Sequence, residues 1–134
     1  MSRAARSLKY FAIYLMLLGL ALVLVPNLIL TLFKMTPTPE VWIRVVGVLA
    51  FNIGVYYWYA ARSECRPLFW ASVYTRAVVL ASFAVFAALE MSEPVLVLFG
   101  AVDFCGGLWT LWALRSEGTL WRTSVASSNV PPKL

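Results

Sequence analysis

The amino-acid sequence predicts an all-α fold: a polytopic membrane protein whose four transmembrane helices form an antiparallel bundle. Three observations predict it. Apolar residues make up 62% of the chain and charged residues 13%, against roughly 45–50% and about 25% in a soluble globular domain. A chain of 134 residues keeps much of its surface exposed when folded, so the apolar excess must face something other than water. The apolar residues are also gathered into four runs, 10–33, 41–61, 68–89 and 94–114. Each would extend roughly 31–36 Å as a helix, enough to cross a hydrocarbon core of about 30 Å. Finally, the segments between the runs are short, polar and marked by proline. Backbone N–H and C=O groups in lipid find no water, so each run satisfies its own groups as a helix.

Residues 1–9 form a basic flank carrying Arg3, Arg6 and Lys9. The first span is too long for the apolar core of a signal peptide and no small-residue cleavage site follows, so it is expected to be retained. Pro26 lacks an N–H, and with Asn27 it predicts a kink near the far end of that span. Lys34-Met-Thr-Pro-Thr-Pro-Glu40 then ends it. In the second span Arg44 follows Glu40 by four residues, the spacing of an ion pair on one helix face. Gly47 and Gly54, seven residues apart, mark a stripe where a neighbouring helix can come close. Arg62-Ser-Glu-Cys-Arg-Pro67 leads into the third span, with Pro67 suited to a first helical turn. Glu90-Met-Ser-Glu-Pro94 makes a tight third turn, with Ser92 or Glu93 as the cap of the last span. Residues 116–134 form a C-terminal tail, expected to be unstructured after Trp121. Connections this short make adjacent spans antiparallel.

Loop charge supplies an orientation. Arg3, Arg6, Lys9, Arg62, Arg66, Arg115, Arg122 and Lys133 fall on one side, and among the first and third loops only Lys34 falls on the other. This predicts that both termini are cytoplasmic. A shift of sixty residues superposes Arg6 on Arg66, Tyr14 on Tyr74, Gly47 on Gly107 and Arg62 on Arg122. A duplicated hairpin would leave such a pattern, although a chain rich in Leu, Ala and Val also produces matches by chance.

Charged groups near the centre of a bilayer cost about 2.5–3.5 kcal/mol each and need a reason to be there. Arg76 lies ~12 Å and Asp103 ~16 Å from the cytoplasmic ends of their spans, with Asn52 at ~14 Å on the second. The three form one layer, where an Arg76–Asp103 salt bridge with Asn52 or Tyr56 taking spare hydrogen bonds is expected. Snorkelling of Arg76 to lipid phosphate is the competing arrangement. Such a pair serves either to fix helix register or to line a polar site for a substrate, ion or proton. Around Asp103, helical spacing collects Gly100, Gly106 and Gly107 into a second close-packing face. Tyr56-Tyr57-Trp58-Tyr59, with Tyr10, Trp70, Trp112 and Trp121, form an aromatic belt at the cytoplasmic interface; a stacking site for a quinone or lipid headgroup is the alternative.

Other chemistries find no residues to carry them. The chain has no histidine, which removes histidine metal sites and histidine general bases. Cys65 and Cys105 have neither a zinc spacing nor the Cys-x-x-Cys of a thiol oxidoreductase. No catalytic residue, metal site or cofactor is predicted. No basic stripe with stacking aromatics offers a nucleic-acid interface.

Trp42-Ile-Arg44-Val-Val-Gly47 resembles the Arg-x-x-Gly opening of small bacterial four-helix membrane proteins of the DoxX-like kind, and Asp103-Phe-Cys-Gly106-Gly107 is similar in flavour. The resemblance covers the layout of residues 10–115. It implies a bacterial cytoplasmic (inner) membrane protein, commonly accessory to a redox or transport system, and carries no functional residue. The expected function is therefore a non-enzymatic accessory or assembly subunit in the lipid bilayer, within a homo-oligomer or larger membrane complex. The alternative is a small oligomeric transporter, channel or lipid- or quinone-binding protein that uses the Arg76–Asp103 pair.

Overall fold

The computed structural model describes residues 1–128, with side chains described as far as Gly118. Its elements are α1 (Arg3–Leu24), α2 (Pro26–Leu32), α3 (Trp42–Arg62), α4 (Arg66–Ala88) and α5 (Val95–Ser128), with no strand among the described residues. Helices α1, α3, α4 and the Val95–Gly118 part of α5 are each long and apolar enough to cross a membrane.

Helix α1 starts well inside the expected flank because Ser2 caps it, its hydroxyl accepting from the Ala5 N–H at 3.0 Å. Its buried residues, among them Leu8, Phe11, Leu15 and Leu22, recur every three or four positions. The helix stops at Val25, before Pro26, and α2 resumes with that proline in its first turn. Glu40 lies outside α3, which begins at Trp42, so the expected Glu40–Arg44 ion pair is not formed. Arg44 reaches instead across to α1 and donates to the Val23 carbonyl beside the helix break. Helix α5 continues to Ser128, into the stretch after Trp121 that is expected to be unstructured; residues 129–134 of that tail lie outside the described residues.

Sequence neighbours are not all packing neighbours. Helix α1 packs extensively on α3 and also on α5, which packs on α4, giving the row α3–α1–α5–α4. Consecutive helices α3 and α4 hardly touch. The α1–α3 seam is built of small residues. A Cβ on Gly19 would lie 2.5 Å from the Phe51 nitrogen and 2.6 Å from the Gly47 oxygen, and one on Gly54 would lie 2.9 Å from the Ala12 oxygen. Gly47 and Gly54 thus pack as expected, against partners on α1 that share their seven-residue spacing.

The residue clusters at the two ends differ. At one end Ala4, Ala5, Leu8, Ala60, Ala61, Phe69, Ala113 and Leu114 form the buried core. Carboxylates lock this end. Glu64 accepts from the Ser2 N–H at 2.7 Å and its hydroxyl at 2.6 Å. Glu117 accepts from the N–H groups of Arg3 and Ala4 and pairs with Arg66 at 3.5 Å. The Ser2 hydroxyl bond holds the Glu64 carboxyl below the ordinary carboxylate range. At the other end Glu93 binds the Thr36 N–H at 2.8 Å and its hydroxyl at 2.6 Å. Glu93 is therefore a tie between loops, and the Ser92 hydroxyl has no partner, so neither side chain supplies the cap expected for α5.

Candidate functional site

On α4 the buried positions Phe69, Ser72 and Arg76 follow one another at helical spacing, which carries the arginine into the bundle. Arg76 is only 2% exposed. Gly106 and Gly107 on α5 clear its path. A Cβ on Gly106 would lie 3.1 Å from Arg76 Nη1 and 3.1 Å from Phe11 Cδ2, and one on Gly107 would lie 3.3 Å from Arg76 Cδ. The guanidinium consequently rests over the Phe11 ring of α1, 3.6 Å from its centroid, with the Tyr57 ring of α3 at 5.5 Å.

This arrangement corrects the expected salt bridge. No ion pair joins Arg76 to Asp103, and all three guanidinium nitrogens are buried without an acceptor. The physical reason lies one turn along α5. The space at Gly106 and Gly107 admits the arginine side chain alongside the backbone, and the Phe11 face attracts the cation there. Such contacts are worth about 2 kcal/mol when desolvated, whereas taking an ion out of water costs several. The Tyr57 phenol and the Asp103 carboxyl stand near enough to act on the charge, yet neither meets hydrogen-bond geometry with its nitrogens, so the guanidinium is left with donors to spend.

The expected layer also divides. Asn52 is exposed on α3 and does not line the site. Tyr56 is 67% exposed and stands on the rim. Tyr57, one residue along, faces Arg76, as does Phe11. Gly100 belongs to the α4–α5 crossing, where its Cβ would meet Leu80 Cα at 3.1 Å. Sequence reasoning singled out neither Phe11 nor Gly19. A signal for Gly19 exists, since Ala5, Ala12 and Gly19 repeat at the spacing of Gly47, Gly54 and Ala61. Phe11 carried none, because its role depends on a helix remote in sequence.

Arg76 and Asp103 both line an apolar cleft of about 980 Å³, walled by residues of all five helices in the part of the bundle where α3 and α4 do not pack on one another. Helix α1 contributes Phe11, Tyr14, Leu18 and Leu22, while Ile29 and Phe33 lie toward the far end and Ser63 and Cys65 toward the near one. Its volume is at the upper end of the usual range for small-molecule sites, about 300–1,000 Å³. Both cysteines are free and exposed, and no cluster of potential metal ligands occurs among the described residues. A deep apolar cleft with a single buried group of unspent donors can seat a chain-like molecule and grip one polar head on it.

No family model, curated protein or solved structure matches the chain.

Proposed function

We propose that the chain is a multi-pass cytoplasmic-membrane protein that binds a membrane amphiphile in the cleft between α3 and α4, as a carrier or receptor and not as an enzyme. The observation that carries this reading is Arg76, buried on the wall of an apolar cleft with three nitrogens lacking acceptors. A ligand oxygen would supply the missing acceptor, and hydrogen bonds to a charged donor are worth about 1.5–3 kcal/mol. Lateral opening between two helices gives a lipid-soluble molecule entry from the bilayer.

The same proposal includes an antiparallel bundle with both termini cytoplasmic, in the layout of DoxX-like bacterial proteins. It is supported by the alternation of tied ends, Ser2 with Glu64 and Thr36 with Glu93, and by the one-sided Lys and Arg distribution. The accessory-subunit expectation turns on the same opening. A partner helix seated there would leave the Arg76 donors unmet unless it brought an acceptor of its own, which makes an amphiphile the better occupant.

The test is extraction of the protein from its native membrane in mild detergent, followed by mass spectrometry of what it retains. Wild type should hold a defined amphiphile. Arg76→Met should reduce it by about tenfold or more, and so should Ala50→Trp, which fills the cleft wall; both should stay folded, with thermal midpoints no lower than that of wild type stripped of amphiphile. Retention by both variants, or recovery of bulk lipid alone from wild type, overturns the reading. Copurification of a second membrane protein that Ala50→Trp releases would favour the accessory subunit instead. Orientation is read on Cys65 in a Cys105→Ser background. An impermeant maleimide should label it only after the cells are opened.

A further inference from the structure

A second concavity lies at the basic end of the molecule, away from the cleft. Arg3, Arg6 and Tyr10 follow one another at spacings of three and four along α1, so they share a face. Trp109 and Trp112 do the same on α5. The five residues wall a notch of about 280 Å³, and none of them lines the large cleft. The Tyr10 and Trp109 rings stack across the two helices, with centroids 6.1 Å apart and planes 11° from parallel.

The electrostatics of the notch are one-sided. Among the described residues, no ion pair engages the guanidinium of Arg3 or Arg6. The two acids at this end are committed elsewhere. Glu117 is taken by Arg66 and by the backbone N–H groups of Arg3 and Ala4, and Glu64 by Ser2. Two arginines thus stand together over an aromatic wall. Arginine's planar fork matches the paired oxygens of a phosphate, and Trp and Tyr rings settle where headgroups meet acyl chains.

We infer that this notch is a binding site for the phosphate of an anionic glycerophospholipid, drawn from the same leaflet as the basic end. Arg3 and Arg6 hold the phosphodiester, while the rings of Tyr10, Trp109 and Trp112 carry the glycerol and the first methylenes. Basic pockets between helices on the cytoplasmic side are suited to this role, since each Lys or Arg near an anionic leaflet adds its own attraction for the headgroup. The inference rests on the orientation proposed above and is independent of what fills the α3–α4 cleft.

Native mass spectrometry of the detergent-solubilised full chain tests it, with dioleoyl phosphatidylglycerol titrated against dioleoyl phosphatidylcholine. Wild type should bind the anionic lipid in preference. Arg3→Gln with Arg6→Gln should weaken phosphatidylglycerol binding by about tenfold or more and phosphatidylcholine binding, where the choline cation opposes the arginines, by less. Lys9→Gln with Arg62→Gln removes the same charge at the same end but outside the notch, and should change binding by less than about twofold. Equal losses in the two double variants would overturn the site, because the charge alone would then be acting. Competition by inorganic phosphate as effective as that by the lipid would overturn the lipid as ligand. Should the cleft hold no amphiphile, the response to Arg3 and Arg6 is still measured, so the two readings fail separately. If Cys65 is labelled from outside intact cells, the lipid's leaflet is wrong even where the notch binds it.

Discussion

The helix pairs α1–α3 and α4–α5 both use glycine at their crossings, and they use it for opposite ends. Between α1 and α3 the glycines let backbone meet backbone. Gly19 and Gly47 face each other so closely that a Cβ on the first would sit 2.6 Å from the carbonyl oxygen of the second. That seam leaves no room for a side chain at its glycines. Between α4 and α5 only Gly100 serves such an approach, toward Leu80. Gly106 and Gly107, one turn and more along, make room for an arginine side chain and bring it over Phe11. The first pair is a scaffold; the second carries Arg76, the one buried charge among the described residues whose donors are unspent. Small residues in an apolar helix thus mark closeness, but what comes close is decided by the neighbour.

The sharpest break of this comparison is Gly19→Ala. Its Cβ would collide with the Phe51 and Gly47 backbone, which cannot swing aside as a side chain can, and overpacking of this sort costs about 3 kcal/mol. Thermal or denaturant unfolding in detergent should show that loss; a change under about 1 kcal/mol would mean that the seam is loose. Arg76→Met comes next and runs the other way. It removes a buried cation lacking hydrogen-bond acceptors and keeps an unbranched apolar stem, shorter by the guanidinium end. In protein stripped of amphiphile it should be neutral or stabilising by about 1–2 kcal/mol, and a clear destabilisation would show that Asp103 depends on the guanidinium. The joint between the two pairs, where the Ser7 hydroxyl donates to Thr110 Oγ1 at 3.0 Å, should matter less. Thr110→Val should cost about 0.6 kcal/mol, in line with hydrogen bonds between membrane helices.

The smallest effect is expected at the basic end, through pH. The Glu64 carboxyl is held below its ordinary value of 4.5, first by the Ser2 hydroxyl. Its contribution is therefore present above that value and is lost as pH falls through the lowered one. Because the group is largely exposed, the amount is a few tenths of a kcal/mol at most. Thermal midpoints measured from neutral pH down to acid should fall less steeply in Glu64→Gln than in wild type. Parallel curves would remove Glu64 from the account.

Much of the site was legible as residues and little of it as geometry. Arg76 and Asp103 stood out because charge inside an apolar run is costly, and both line the cleft. Their pairing did not follow. Depth along two helices says nothing of rotation about them, and the cation found an aromatic face closer to hand. Asn52 shares their depth yet points outward on α3, while Tyr57 and not Tyr56 faces the arginine, a difference of one residue and about 100° around the helix. Glu93 read as a cap and serves as a tie, because Thr36 lies across the end of the bundle and is remote in sequence.

By itself the sequence determined where the four apolar helices lie and where proline breaks or opens them. Those properties are local, since an apolar segment must close its own backbone hydrogen bonds and proline interrupts them wherever it falls. Only the tertiary structure decided the row α3–α1–α5–α4, the cleft left where α3 and α4 part, and the place of Arg76 above Phe11. Lipid tails are as apolar as leucine, so hydropathy cannot distinguish a face turned to a neighbouring helix from one turned outward. In a chain of this composition that choice falls to shape, through the seven-residue steps of alanine and glycine that bring α1 and α3 together and leave α4 standing apart from α3.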